Sequence, residues 1–313
     1  IMPVPAQNQQ YENFIIRYKQ NTHGGFDYES DETFQIVNDL FGILYVPMQE
    51  VPELELSSYS YSSIPRCYTY MDTGALSTSG VTRLHNHPYL KLQGKGTLVA
   101  VIDSGIDYLH PAFHNGVQSK IFSIWDQTLE GGADGRIPFG REFGRQQIEQ
   151  ALASENPWEI VPSSDTNGHG TRSAATAAGY RIEKDNFCGA APEAEIVIVK
   201  LKQAKNYLRD FYLLPRDIDI FQEDDIMLAI SYVLFIAQEQ QMPLSICIGL
   251  GTSMGAHQGE GPLNEYINSI AAFTQNAVSV PAGNEGTARH HYLREFGPND
   301  TEDTVELRVG DRE

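Results

Sequence analysis

The chain has 313 residues, 41% apolar and 10% aromatic, enough to bury a sizeable core in one large domain or two ordinary ones. Its 41 acidic residues against 22 basic ones give a formal charge of −19. That balance argues against nucleic acid and anionic lipid as partners, because both need a basic face. No apolar run approaches the roughly 20 residues of a membrane-crossing helix. The longest, 226–237, is short and contains Ser231, and no charged-then-apolar leader pattern follows Ile1.

In chain order, residues 1–76 read as a small α+β region ending in an extended connector. Phe14 to Tyr18 predicts a strand, Glu32 to Leu40 a short helix, and Gly42 to Val46 a second strand stopped by Pro47. Pro52 to Pro65 is rich in Ser, Tyr and Pro, as a connector would be. Cys67 to Met71 is suited to lie as a further strand.

Residues 77–298 alternate buried strands with helices. Thr97 to Ile102, Ile196 to Leu201, Leu244 to Ile248 and Ala277 to Val280 are strand candidates. All four read as apolar runs without alternation, the mark of parallel strands covered on both faces. Helical patterns cover His169 to Ala178, Asp224 to Gln240 and Leu263 to Gln275. Glu223, Asp224 and Asp225 open the second, where a helix dipole favours carboxylates. The alternation predicts an α/β fold with a mostly parallel sheet flanked by helices, with its site beyond the carboxyl ends of the strands. Residues 299–313 hold the alternating run Thr304 to Val309, which predicts a half-buried antiparallel strand.

Cys67, Cys188 and Cys247 are too sparse for a disulfide framework. Cys247, inside an apolar run, is expected to be a buried thiol. His85 with His87, and His290 with His291, lack Cys or carboxylate partners at ligand spacing and read as surface loops, so no metal site is expected.

Three short motifs carry chemistry. Asp103 ends a buried strand in Val101-Ile102-Asp103-Ser104-Gly105. His169 stands between glycines in Asn167-Gly168-His169-Gly170-Thr171, ahead of a helix of small residues. An imidazole there is poorly explained by packing and suits a general base. Asn284, in Pro281-Ala282-Gly283-Asn284-Glu285-Gly286, could be a turn residue or a donor to a developing oxyanion.

In this order the three motifs resemble those of the subtilisin-like serine proteases. The resemblance implies that Asp103 orients the imidazole, His169 is general base and then acid, and Asn284 donates to the oxyanion. It implies that Gly249, Leu250 and Gly251 pair with a substrate backbone. The longer runs V-I-D-S-G-I-D-Y-L-H-P-A-F, A-L-S-T-S-G-V-T-R-L-H-N-H-P and G-T-S-M-G-A-H-Q-G resemble the clostridial Csp spore-germination proteases. Residues 1–76 would then be a prodomain, with the strand near 67–71 in the substrate groove and autoprocessing between Arg66 and Ser77. Residues 299–313 would begin a jelly-roll insert. The resemblance also implies a protein substrate, such as a cortex-lytic enzyme precursor, and a spore or extracytoplasmic location. No organic cofactor is implied. The family allows a structural calcium, but no dense Asp/Asn loop specifies one.

The family's nucleophile lies in G-T-S-x-A after the oxyanion Asn, and no such motif follows Asn284. Ser253, in Gly251-Thr252-Ser253-Met254, precedes the Asn and is read as a lookalike. The nucleophile is therefore expected beyond residue 313, in a C-terminal part outside this chain, which alone would be inactive. The alternative is a non-catalytic relative that senses a germinant or binds a partner, since the Csp group includes members that have lost triad residues. A nucleotide-binding reading lacks its Gly-rich phosphate loop.

Overall fold

The computed structural model describes residues 4–18, 33–51, 54, 59–70, 81–85, 87, 89, 92–131, 136–185, 187–256, 258–273, 275–284 and 292–306. Near the N-terminus, β1 (Tyr11–Arg17), β2 (Phe34–Ile36) and β3 (Phe41–Pro47) form an antiparallel sheet in the order β1-β3-β2. The helix expected over Glu32 to Leu40 is not formed. Phe34 and Ile36, two apart, alternate as a strand does, and β2 follows them. The Asn38 side chain then accepts from Leu40 N and Phe41 N, each at 2.8 Å. This Asx turn breaks any helix and folds β2 back onto β3. Glu32 lies outside the described residues. A 3₁₀ turn at Tyr61–Ser63 leads to β4 (Cys67–Tyr70), and α1 (Val81–His85) follows.

The main unit runs β5 (Leu98–Asp103), β6 (Ile121–Asp126), β7 (Arg141–Gly144), α2 (Arg145–Leu152), α3 (Pro157–Ile160), α4 (His169–Ala178), β8 (Glu195–Lys200) and α5 (Asn206–Phe211). It continues with β9 (Phe221–Gln222), α6 (Glu223–Gln240), β10 (Leu244–Ile248), β11 (Leu250–Gly251), α7 (Pro262–Ala271) and β12 (Asn276–Ser279). Its six-stranded sheet has the order β12-β10-β5-β8-β6-β7, parallel except for the β7 edge.

The near-continuous apolar runs are explained by cover on both faces. Along β5, Leu98, Ala100 and Ile102 pack toward α6 and α7, while Val99 and Val101 pack toward α2 and α4. Helix α6 is apolar almost all round because it is sandwiched. One side meets the central sheet. The other meets Ile15, Phe41, Ile43 and Tyr45 of the N-terminal sheet. Residues 304–306 carry no regular element and are exposed, and the rest of the strand expected at Thr304 to Val309 lies outside the described residues.

A buried polar network joins the N-terminal sheet to the main unit. Asn13 Nδ2 donates to Asp224 Oδ2 at 2.5 Å, and Lys205 Nζ donates to Asn13 Oδ1 at 2.7 Å and to the Tyr11 carbonyl at 3.0 Å. Tyr207 OH accepts from Asn13 N at 2.8 Å and donates to Asn13 O at 3.0 Å. Lys202 Nζ donates to Asp225 Oδ2 at 2.5 Å. Burial raises the Glu12 and Asp225 carboxyls to about 7, and burial lowers the Lys205 ammonium to about 7.

Candidate active site

Asp103 is the last residue of β5 and is fully buried; His169 is the first of α4 and 6% exposed. The two side chains meet, with His169 Nδ1 at 2.8 Å from Asp103 Oδ1 and 2.9 Å from Oδ2. A carboxylate on Nδ1 fixes the ring plane and tautomer. A ring held this way can exchange a proton through Nε2, and a carboxylate on Nδ1 favours the imidazolium form.

The loops around the pair are tightly specified. Ser104 N donates to Asp103 Oδ1 at 2.7 Å. Gly168 has a left-handed conformation with φ +81, which turns the chain into α4. A β-carbon on Gly170 would run into the Gly105 carbonyl, so the two loops touch backbone to backbone.

Asp165, which has no periodic or motif signal in the sequence, organises this region. Its Oδ1 accepts from Ser104 Oγ at 2.8 Å and Gly168 N at 2.9 Å. Its Oδ2 accepts from Thr171 N at 2.8 Å and Thr171 Oγ1 at 2.6 Å. Ser104 Oγ accepts in turn from Gly170 N at 2.9 Å. Burial alone would raise the Asp165 carboxyl, but bonds from Thr171, Ser104 and Gly168 hold it below its ordinary value.

Gly249 links β10 to β11 against the pair. An added β-carbon would overlap Asp103 Oδ2 and lie 3.1 Å from His169 Cε1. Beyond it, β11, β4 and β9 form an antiparallel sheet with β4 in the middle. Tyr70 faces Leu250 and Thr69 faces Gly251 on one edge, while Cys67 faces Gln222 and Tyr68 faces Phe221 on the other. The segment at 67–70 thus lies along Leu250 and Gly251.

Asn284 is exposed, five residues beyond the end of β12, on the carboxyl edge of the same sheet; residues 285–291 are outside the described set. Because β12, β10 and β5 are consecutive in the sheet, the loops bearing Asn284, Gly249 and Asp103 leave it side by side. Ser253 is exposed in the loop after β11.

Among the described residues no group of three or more His, Cys, Asp or Glu could hold a metal. His85, expected on a surface loop, is instead buried, its Nε2 donating to the Ala190 carbonyl at 2.7 Å. That bond satisfies the ring inside the protein. His290 and His291 fall outside the described residues. Cys247 is half-buried and lines an apolar cavity of about 550 Å³ with Val99, Ala177, Leu244 and Ala277. The cavity extends toward the amino ends of the strands, away from the pair.

Comparison with known proteins places this architecture. Residues 94–212 match the Subtilase family. The Intracellular serine protease of Paenibacillus polymyxa is 29% identical over 196 residues, covering 62% of this chain and 43% of that protein. Subtilisin-like protease SBT1.9 of Arabidopsis thaliana is 28% identical over 142 residues, covering 41% of this chain and 18% of that protein. The fold is that of a subtilase, and the chain is similar to the subtilisin-like serine proteases. Among solved structures it is similar to the Clostridium perfringens CspB protease, with a TM-score of 0.55 and 29% identity over 66% of this chain and 39% of that one. The chain therefore spans less than half the length of these relatives.

Proposed function

We propose that this chain supplies the base, the orienting carboxylate and an oxyanion donor of a subtilisin-like serine endopeptidase. The observation that carries the reading is the buried Asp103–His169 pair at 2.8 Å, set against Gly249 at the end of a strand-lined groove. In the proposed reaction His169 Nε2 takes the proton of a serine hydroxyl as its oxygen attacks a peptide carbonyl. Asn284 donates to the oxyanion that forms. The imidazolium then protonates the leaving amine, and water hydrolyses the acyl-enzyme by the same route. Catalysis of this kind needs no cofactor.

The nucleophile is assigned to a G-T-S-x-A segment that follows Asn284 in the parent protein. Residues 299–313 are assigned to the start of a β-rich insert between the two. The apolar cavity beside β10 and β12 offers a seat for the body of a helix whose first residue, at the carboxyl ends of the strands, would carry that serine. Residues 1–76 are read as a prodomain, since β4 already lies in the groove as a substrate strand would. The likeness to the CspB protease supports a protein substrate. A role in spore germination, such as activation of a cortex-lytic enzyme precursor, rests on the motif resemblance to the Csp spore-germination proteases.

The test is casein hydrolysis by the full-length parent protein and by its His169→Ala variant. Activity in the first and a loss of at least about 10³-fold in the second support the reading, as expected for a base acting with its nucleophile. An inactive parent, with a residue other than Ser at the nucleophile position, would favour a binding role instead.

A further inference from the structure

The β9–β4–β11 sheet ends in a pocket that the Asp103–His169 pair does not use. Arg66, just ahead of β4, is 5% exposed. Its backbone is gripped by Glu223: Arg66 N donates to Glu223 Oε2 at 3.2 Å, and Glu223 N donates to the Arg66 carbonyl at 2.7 Å. Its guanidinium Nε lies 4.0 Å from Glu223 Oε2, and Nη2 donates to the Glu260 carbonyl at 3.5 Å.

Two glycines wall this guanidinium. Gly255 and Gly261 both have positive φ, +101 and +131. A β-carbon on Gly255 would stand 2.5 Å from Arg66 Nη1, and one on Gly261 would overlap Nη2. The walls therefore leave a slot that only residues without side chains can frame.

Glu223 is fully buried, and burial raises its carboxyl against the opposing pull of Arg66. If the strand left the groove, Glu223 would keep Leu263 N, at 3.4 Å, and lose the Arg66 amide donor, which any strand can replace, and the guanidinium countercharge, which only a cation can replace. A buried carboxylate stripped of its countercharge is strongly destabilising. A strand that replaces β4 is thus selected for a cation at the same position. The flat slot and the paired acceptors, a carboxylate and a carbonyl, suit the fork of arginine better than the point charge of lysine.

We propose that Glu223, Gly255 and Gly261 form an arginine subsite, which holds Arg66 here and selects peptide substrates with arginine three residues before the one opposite Gly251. The proposal rests on the reading of the β9–β11 groove as the substrate groove. It adds a specificity residue to that groove, at a place where the sequence shows only a helix-opening acidic run.

The test uses the full-length parent protein carrying Arg66→Ala together with Tyr68→Pro and Thr69→Pro, so that β4 can no longer pair with β9 and β11 and both the groove and the pocket are open to a peptide. Fluorescein-labelled octapeptides with the 66–71 sequence, bearing Arg, Lys, Ala or Glu at the first matching position, are titrated and followed by anisotropy. The Arg peptide is expected to bind at least about tenfold tighter than the Ala peptide, and Glu223→Gln is expected to abolish the difference. Should that variant fail to fold, ethylguanidinium serves instead, displacing the Arg peptide at concentrations where ethylammonium does not. Equal affinity for all four peptides, or binding of none, overturns the subsite. Casein hydrolysis by the parent protein is read separately: its absence overturns the protease reading, while the peptide preference still decides the subsite.

Discussion

Gly249 and Asp103 are in such close approach that no side chain fits between them: a β-carbon on Gly249 would overlap Asp103 Oδ2. Asp103 is fully buried at the end of β5, which is hydrogen-bonded on both sides, so its carboxylate has little room to retreat. The methyl of Gly249→Ala must therefore push the carboxylate off His169 Nδ1. The expected result is a stability loss of about 1–3 kcal/mol, as for other overpacked sites. Loss of the low-field Nδ1 proton resonance of His169 would accompany it. The checks are a urea melt and proton NMR on this chain.

Asp165 accepts four hydrogen bonds: three brace the His169 loop, from Gly168 N, Thr171 N and Thr171 Oγ1, and one, from Ser104 Oγ, ties that loop to the Asp103 loop. Asp165→Asn keeps the size but turns one oxygen into a donor facing donors. The expected cost is roughly 2–4 kcal/mol, the scale of one or two charge-assisted bonds lost with their partners left unsatisfied. Urea unfolding of this chain measures it. In the full-length parent, kcat should fall at least about tenfold while KM changes little, because the peptide groove is elsewhere.

In the central sheet β5 and β8 were legible because they are covered on both faces, so their sequences are apolar with little alternation. Leu98 to Ile102 is the clearest case. Ala277 to Val280, read as the same kind of strand, falls instead on the β12 edge with Ala277 and Ser279 exposed, and β6 and β7 were not read. The pair Asp103 and His169 was legible through its glycine neighbours, which the structure uses for close backbone approach. The helix expected at 32–40 was misread because Phe34, Ile36 and Val37 fit two periods over so short a span, and the Asn38 turn decided between them. Glu223, Asp224 and Asp225 read only as carboxylates favoured at a helix start. All three are buried, facing Arg66, Asn13 and Lys202 from three different elements. Such pairings join positions far apart in the chain, and no local pattern announces them. Asp165 escaped notice for a different reason: it stands four residues ahead of His169 and takes three of its four bonds within that loop, and side-chain bonds to a loop backbone leave no periodicity to read.

Glu12 gives a pH dependence whose sign is fixed. Burial raises its pKa from 4.5 to about 7, with Lys205 opposing. A raised folded-state pKa means tighter proton binding in the folded chain. This contribution to stability is complete below about 4.5 and is lost as the pH rises through about 7. Lys205, lowered from 10.5 to about 7 by burial, contributes above about 10.5 and loses that as the pH falls to about 7, so it acts outside the same window. Glu12→Gln cannot titrate. Its Tm relative to the unaltered chain should therefore rise between about pH 5 and about pH 7.5, by roughly 2–4 °C per kcal/mol of lost contribution. Differential scanning calorimetry at the two pH values checks this, and a constant difference would remove Glu12 from the account.

The most direct test of the central claim is active-site labelling of the full-length parent protein with a fluorophosphonate, followed by peptide mass mapping. Such reagents phosphonylate a serine whose proton a neighbouring base removes: its oxygen attacks phosphorus and fluoride leaves. The account predicts one labelled serine, in a G-T-S-x-A segment following Asn284, and no label in the Asp103→Asn or His169→Ala variants. Label on Ser253, or label that survives loss of His169, would contradict it.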